Sequence, residues 1–382
     1  MSVQTKSVTS PPKFFIGKNF LGQLGTYVSD LGSHAYVICD PFILERALCE
    51  AAPSFEGKGQ AIFERFNLEC TQQEIDRHCG LVTAAAANVI VGIGGGKTLD
   101  TAKAVAYERN LPVVIFPTIA STDAPCTALA VLYTPTGEFD RYLFLPRNPD
   151  LVLADSRILA EAPLRLFLAG IGDALATYFE ARACYRANGE NLTRLKMKPS
   201  RTGLGLSRLC LDILLENAVS ACVAVREKRV TPAVEHTIES TIYLSGVGVE
   251  GAGIAAAHAI HNGMTQVPSL HGAQHGEKVT FGVIAQLVLE NAPQAELNLV
   301  LDFIKAVGLP LTLEDLGLDQ FVESQWRQVA ELACSEQDSM GNMPFTVTPG
   351  DVYDAIVTAN ALAHAHKALA QVRSVFDPSL IA

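Results

Sequence analysis

The sequence predicts an α/β N-terminal half built on a parallel sheet, followed by an all-α helical bundle. Three observations lead there. Short β-branched runs alternate with helix-like stretches up to about residue 160. Beyond that point strand signals nearly vanish and Ala-, Leu- and Glu-rich stretches dominate. A chain of 382 residues, 49% hydrophobic and only 18% charged, is also long enough for more than one core. The expected division is residues 1–160 and 161–382.

The elements follow in order. Ala35 to Cys39 (AYVIC) is a buried strand ending at Asp40, and Ala61 to Phe63 is a shorter one. Val89 to Ile93 is a third, running into Gly94, Gly95 and Gly96, and Val113 to Phe116 a fourth, ending at Pro117. Between them Gln72 to Ala87 and Thr98 to Tyr107 carry apolar residues at helical spacing. That rhythm makes a parallel sheet with helices on its faces. AVLY and RYLFL, flanking TPTGEFD in 130–146, read as a hairpin. The segment LVLADSRILAEAP marks the boundary, and the helical half spans 172–187, 203–223, 232–262, 277–291, 297–306, 324–335 and 350–372.

Composition removes several function classes. A net charge of -11 with no Lys/Arg cluster repels nucleic acid, anionic lipid and heavily phosphorylated substrates. Nine cysteines, an odd number without a CxxC pair, fit reduced thiols in a cytoplasmic protein. Met1 to Pro12 is polar and lacks the apolar core of a signal peptide, and no stretch reads as membrane-spanning.

Gly94-Gly95-Gly96-Lys97-Thr98 follows a strand and opens a helix, so backbone N–H groups and the helix dipole can meet a pyrophosphate. A P-loop would need glycine at the position held by Val91, and Lys97 occupies the last glycine position of GxGxxG. The half is therefore Rossmann-like without the usual fingerprint. Asp40 at a strand end suits a ribose hydroxyl and would repel a 2′-phosphate, although Asp is also common in turns.

Asp173, His258 and His275 lie in unusually apolar helical surroundings, with His261 one turn beyond His258. Asp173 reads as near a helix start and His258 as late in a helix. An ionised Asp among Ala, Leu and Ile needs a partner or a cation, and one carboxylate with two imidazoles suits catalytic zinc with an open position. Each residue alone is compatible with a hydrogen-bonded core or capping group. His271 competes as a ligand; His364 and His366 read as solvated, and His34, His78 and His236 carry no signal.

GIGGGKTLDTAKA (92–104), PTIASTDAPCTAL (117–129), AGIGDALATYFEARAC (169–184), AAAHAIHNG (255–263) and HGEKVTFG (275–282) closely resemble the glycerol dehydrogenases of the iron-containing, or group III, alcohol dehydrogenase superfamily. The resemblance runs from about residue 13 to 370, with local departures at 65–68, 187–203 and 265–274. It implies an active site in the cleft between the halves, with metal ligands Asp173, His258 and His275 and a substrate-binding Asp123. It implies NAD contacts from Asp40, Gly94, Gly95, Gly96, Lys97, Thr98, Asp100, Thr118, Ile119, Ala120, Ser121, Thr127, Leu129 and Tyr133, and puts His261 beside the reacting centre.

Iron-dependent relatives carry a fourth ligand, a His, where this chain has Thr177, which favours one zinc per subunit. The implied activity is NAD-dependent oxidation of glycerol to dihydroxyacetone, and of related vicinal diols, by a homo-oligomer, an octamer by resemblance. The alternatives are a dehydroquinate-synthase-like lyase, disfavoured by Asp at the acidic ligand position and the missing basic cluster, and a non-catalytic NAD- or metal-binding relative.

Overall fold

The computed structural model describes residues 4–375. Eight strands form: β1 (Phe14–Gly17), β2 (His34–Cys39), β3 (Gln60–Arg65), β4 (Val89–Gly94), β5 (Val113–Pro117), β6 (Leu129–Tyr133), β7 (Phe139–Phe144) and β8 (Leu151–Asp155). Six make one parallel sheet in the order β1-β8-β5-β4-β2-β3, while β6 and β7 pair antiparallel as the predicted hairpin.

Alternation along the strands builds a core on each face of the sheet. Ala35, Val37, Cys39, Val89, Val91, Ile93, Val114 and Phe116 point into one cluster, against Leu21, Leu24 and Phe55. Tyr36, Ile38, Ile90, Val113, Ile115, Val152 and Ala154 point into the other, which continues without a break into the helical half through Phe167, Phe179, Ile260 and Phe281. Both faces are buried, so these strands read as continuous apolar runs.

Sheet topology positions the cofactor-type loop. β2 is followed outward by β3, whereas the chain after β4 proceeds the other way to β5. The adjacent carboxyl ends of β2 and β4, with Cys39 opposite Ile93, therefore form a topological switch point, where open α/β sheets hold ligands. Asp40 and Gly94–Gly96 sit there, joined by the Asp40 N–H donating to Ile93 O at 2.8 Å.

Two strands escaped the sequence reading. β8, taken as boundary, pairs with both β5 and β1, and β1 carries the sheet's outer edge. β8 runs directly into the helix Ser156–Glu161, which hides its end, and β1 is only four residues, FFIG, without alternating burial.

The helical half departs from prediction at two places that matter for the site. The helix Leu164–Ala187 begins well before Asp173, which therefore lies mid-helix and is not a cap. The stretch 232–262 is not one helix: a π-helical segment, Glu239–Leu244, interrupts it, and Gly253 at φ +88° ends the helix Ser245–Ala252. A new helix, Ala256–Met264, then starts, so His258 stands in a first turn and not late in a helix. Among the described residues no helix is long and apolar enough to cross a membrane.

Candidate metal and cofactor site

Close helix crossing brings the metal-type residues together. A Cβ on Gly276 would collide with the carbonyl oxygen of Ala169, and one on Gly172 would stand 2.5 Å from Gly276 O. Only glycine permits this approach of the helices Leu164–Ala187 and His275–Leu289, and it sets Asp173 beside His275. His275 opens its helix behind a capping box, in which Gln274 N–H donates to Glu277 Oε2 at 2.7 Å. Arg165 then clamps Glu277 through both oxygens, each at 2.7 Å.

His258 is held by Glu180, which is fully buried on the same helix as Asp173. Glu180 Oε1 accepts from the N–H groups of Ala255 and His258, each at 2.9 Å, capping the new helix. Glu180 Oε2 accepts from His258 Nδ1 at 2.5 Å, which turns His258 Nε2 toward the centre.

The result is a three-donor cluster: Asp173 Oδ1 lies 3.4 Å from His258 Nε2 and 3.2 Å from His275 Nε2. Asp173 is 3% exposed and its Oδ1 has no hydrogen-bond partner. An orphaned buried carboxylate oxygen facing two imidazole nitrogens is the signature of a cation seat. Size agrees: donors about 2.05 Å from a tetrahedral zinc lie about 3.3 Å from one another. Asp173, His258 and His275 are the one such ligand group among the described residues.

The electrostatics are those of a site built for positive charge. Burial alone would raise the Asp173 pKa, but His275 and His258 hold it well below the usual carboxylate range. Burial opposes charge on His258, yet the Glu180 and Asp173 carboxylates raise it well above the ordinary histidine value. His261 differs: burial, then His275, Lys278 and His258, keep its ring neutral, with its centroid 4.2 Å from that of His275. Its Nδ1 meets Asn262 Oδ1 at 3.0 Å, and Asn262 reaches Asp338 at 3.1 Å. His271 is not brought in; its exposed ring meets the Thr265 carbonyl oxygen.

Asp123 lies in the loop between β5 and β6. Burial, then the Asp173 carboxylate, push its pKa up, and Ser245 Oγ donates to its Oδ2 at 3.3 Å. That loop is anchored from beneath. Lys103, buried on the helix Gly96–Arg109, donates to the carbonyl oxygens of Ala124 at 2.9 Å, Thr127 at 3.3 Å and Leu129.

At the switch point the helix Gly96–Arg109 starts from Gly95 with no side chain capping it, so its first N–H groups are free for an anion. A Cβ on Gly94 would stand 2.6 Å from Thr98 Oγ1 and 2.9 Å from Asp40 Cβ, which keeps this cradle open only for glycine. Asp40 Oδ1 accepts from Phe42 N–H at 2.9 Å, and its Oδ2 lies 3.4 Å from Thr98 Oγ1. Thr118 N–H donates to Gly94 O, carrying Thr118, Ile119, Ala120 and Ser121 along the same rim.

The profile of the family described as "Iron-containing alcohol dehydrogenase" matches residues 11–156. A glycerol dehydrogenase of Pseudomonas putida is 50% identical over 358 residues, covering 94% of this chain and 98% of that one. The chain belongs to the iron-containing alcohol dehydrogenase family. Among solved structures, a probable glycerol dehydrogenase from Sinorhizobium meliloti superposes with a TM-score of 0.89 at 40% identity, covering 94% of this chain and all of that one. Glycerol dehydrogenase from Schizosaccharomyces pombe gives 0.90 at 32% identity, covering 98% and 94%. The family makes this protein an oxidoreductase and implies a nucleotide cofactor and a metal.

Several residues of the cofactor-type set also make contacts within the chain. Asp100 is buried, paired with Lys103 at 2.8 Å and accepting from Val131 N–H at 2.9 Å, so its carboxylate ties the helix to β6. Lys97 pairs with Glu69 at 2.7 Å and lies 4.8 Å above the Tyr133 ring. Thr127 Oγ1 donates to Ala124 O at 3.2 Å, and Leu129 offers its carbonyl to Lys103.

Two residues central to this geometry went unread in the sequence. Glu180 is seven positions after Asp173, hence on the same helix face, and Lys103 is three after Asp100 among alanines. A charged residue in such apolar company was the available signal.

Proposed function

We propose that this oxidoreductase is an NAD-dependent, zinc-dependent polyol dehydrogenase whose leading substrate is glycerol, oxidised to dihydroxyacetone as NAD⁺ becomes NADH and a proton is released. The orphaned Asp173 Oδ1, facing the Nε2 atoms of His258 and His275, carries the reading. The glycerol dehydrogenase relatives support the substrate. Thr177 hydrogen-bonds Ser245 at 2.9 Å and supplies no imidazole, so three protein ligands with an open position favour zinc over a four-ligand iron site.

In this reading residues 161–382 hold the metal and residues 1–160 the dinucleotide. When bound, the zinc supplies Lewis acidity toward a substrate hydroxyl and the nicotinamide supplies the hydride acceptor. Asp173, His258 and His275 would hold the ion, with Glu180 fixing which nitrogen of His258 faces it. Gly94 to Thr98 would receive the pyrophosphate at the helix N-terminus, and Asp40 the ribose, with its charge selecting NAD. Asp123 accepts a further substrate hydroxyl and orients the polyol. His261, neutral and beside His275, lines the path by which the released proton reaches water. The enzyme is proposed to work as a cytoplasmic homo-oligomer, testable by light scattering.

The test is formation of NADH or NADPH with glycerol, propane-1,2-diol, ethanol and no alcohol, each supplied with NAD and with NADP. Diol-dependent reduction preferring NAD is expected. Turnover of ethanol alone, or none with any alcohol in zinc-loaded protein, would overturn the proposal.

A further inference from the structure

A buried chain of hydroxyl groups runs beside the site. Thr177, one turn beyond Asp173, is 1% exposed, and its Oγ1 lies 2.9 Å from Ser245 Oγ, which is fully buried. Ser245 Oγ donates its only proton to Asp123 Oδ2 at 3.3 Å, so the bond between the two hydroxyls must be donated by Thr177. The chain therefore has one direction, from Thr177 to Ser245 to Asp123.

Several features converge on this arrangement. Ser245 is the sole hydrogen-bond partner of the Asp123 carboxylate among the described residues. The π-helical segment Glu239–Leu244 ends directly before Ser245, and such insertions shift the register of the residues that follow. A Cβ on Gly246 would stand 3.0 Å from the Asp123 carbonyl oxygen and 3.1 Å from Cys126 Cβ, so this helix start packs tightly on the Asp123 loop. Burial and the nearby Asp173 carboxylate both act against charge on Asp123, and the hydrogen bond from Ser245 is among the contacts that favour it.

We propose that the Thr177–Ser245 pair is the device that aims Asp123 and so sets the preference for a triol over a diol. It rests on the reading of Asp123 as acceptor of a substrate hydroxyl. With Oδ2 held by Ser245, the carboxylate keeps one rotamer and leaves Oδ1 for the hydroxyl that glycerol has and propane-1,2-diol lacks. Thr177 and Ser245 are positioning residues; they act through Asp123.

The experiment measures kcat and KM for glycerol and propane-1,2-diol on zinc-loaded wild type, Ser245→Ala, Thr177→Val, Thr177→Ser and Asp123→Asn, with zinc stoichiometry on each. Ser245→Ala is expected to lower the glycerol-to-propanediol ratio of kcat/KM about tenfold, mainly through KM for glycerol. Thr177→Val, of equal size, should shift the ratio in the same direction by less, and Thr177→Ser should restore it. An equal fall on both substrates, loss of zinc from the Thr177 variants, or an unchanged ratio would overturn the inference. Should Ser245→Ala fail to fold, the Thr177 pair decides alone. If Asp123→Asn leaves the ratio unchanged, the substrate role of Asp123 falls; if it lowers the ratio while the hydroxyl variants do not, only the present inference falls.

Discussion

Replacing Glu180 by Gln should weaken the metal seat without changing side-chain size. In the native arrangement Oε1 accepts two backbone N–H groups at 2.9 Å and Oε2 accepts His258 Nδ1 at 2.5 Å. A glutamine that keeps its carbonyl oxygen on the backbone presents an NH₂ donor to His258 Nδ1. The ring must then carry its proton on Nε2, where it faces Asp173 Oδ1 at 3.4 Å instead of offering a lone pair to a cation. A hydrogen bond to a charged group contributes roughly 1.5–3 kcal/mol, equivalent to about 10- to 100-fold in affinity, the range found for partners of metal-bound histidines. Zinc should therefore bind about 10- to 100-fold more weakly in Glu180→Gln, measured by competition against a chromophoric chelator. NADH affinity, assigned by the proposed function to the switch point of the sheet, should hold. A zinc affinity within about threefold of wild type would refute the orienting role.

Other expectations follow from the same geometry. Asp40→Asn keeps an oxygen for the Phe42 N–H but removes the charge, so the preference for NAD over NADP should fall about tenfold in initial rates. Gly276→Ala drives a methyl into Ala169 O, within 2.9 Å of Asp173 N, and should cost about 1–3 kcal/mol together with weaker zinc binding; Gly205→Ala, at an open helical position, should instead stabilise by about 0.5–1 kcal/mol in urea unfolding. Burial and Arg77 hold His78 down at about 4, from an ordinary 6.5. The unfolded chain therefore binds the proton first, and this contribution, present above pH 6.5, is lost as pH falls to about 4. The loss is on the order of 3 kcal/mol, and His78→Gln should flatten that slope of stability against pH.

How much was legible in the sequence depended on whether a residue's signal was local. The strand–Gly94-Gly95-Gly96–helix unit was readable because its turn chemistry is contiguous, and the β6–β7 hairpin because strands and turn adjoin. The grouping of Asp173, His258 and His275 was foreshadowed by polar residues in apolar helices, but their distances depend on glycine crossings such as Gly172 on Gly276. Whether Asp173 sat at a cap or mid-helix was misread because Gly170 and Gly172 resemble a helix start. In the fold they are contact glycines inside the helix. The break at Gly253 that puts His258 in a first turn was hidden by the Gly- and Ala-rich sequence around it, where glycines recur at 246, 248, 251 and 253. Glu180 and the Thr177–Ser245 pair acquire meaning only from partners 78, 68 and 122 positions away in the chain. β1 declares itself only by pairing with β8 across 138 residues, Phe14 with Val152 (152 - 14), and β8 is masked locally by the helix Ser156–Glu161 that follows it at once.

The decisive measurement is glycerol-dependent NADH formation together with zinc content, before chelation, after it and after zinc is restored. The active enzyme should hold about one zinc per chain, lose turnover as zinc is removed while still binding NADH, and recover on reconstitution. Full glycerol oxidation by zinc-free protein would contradict this, as would a His258→Ala variant that turns over normally without metal.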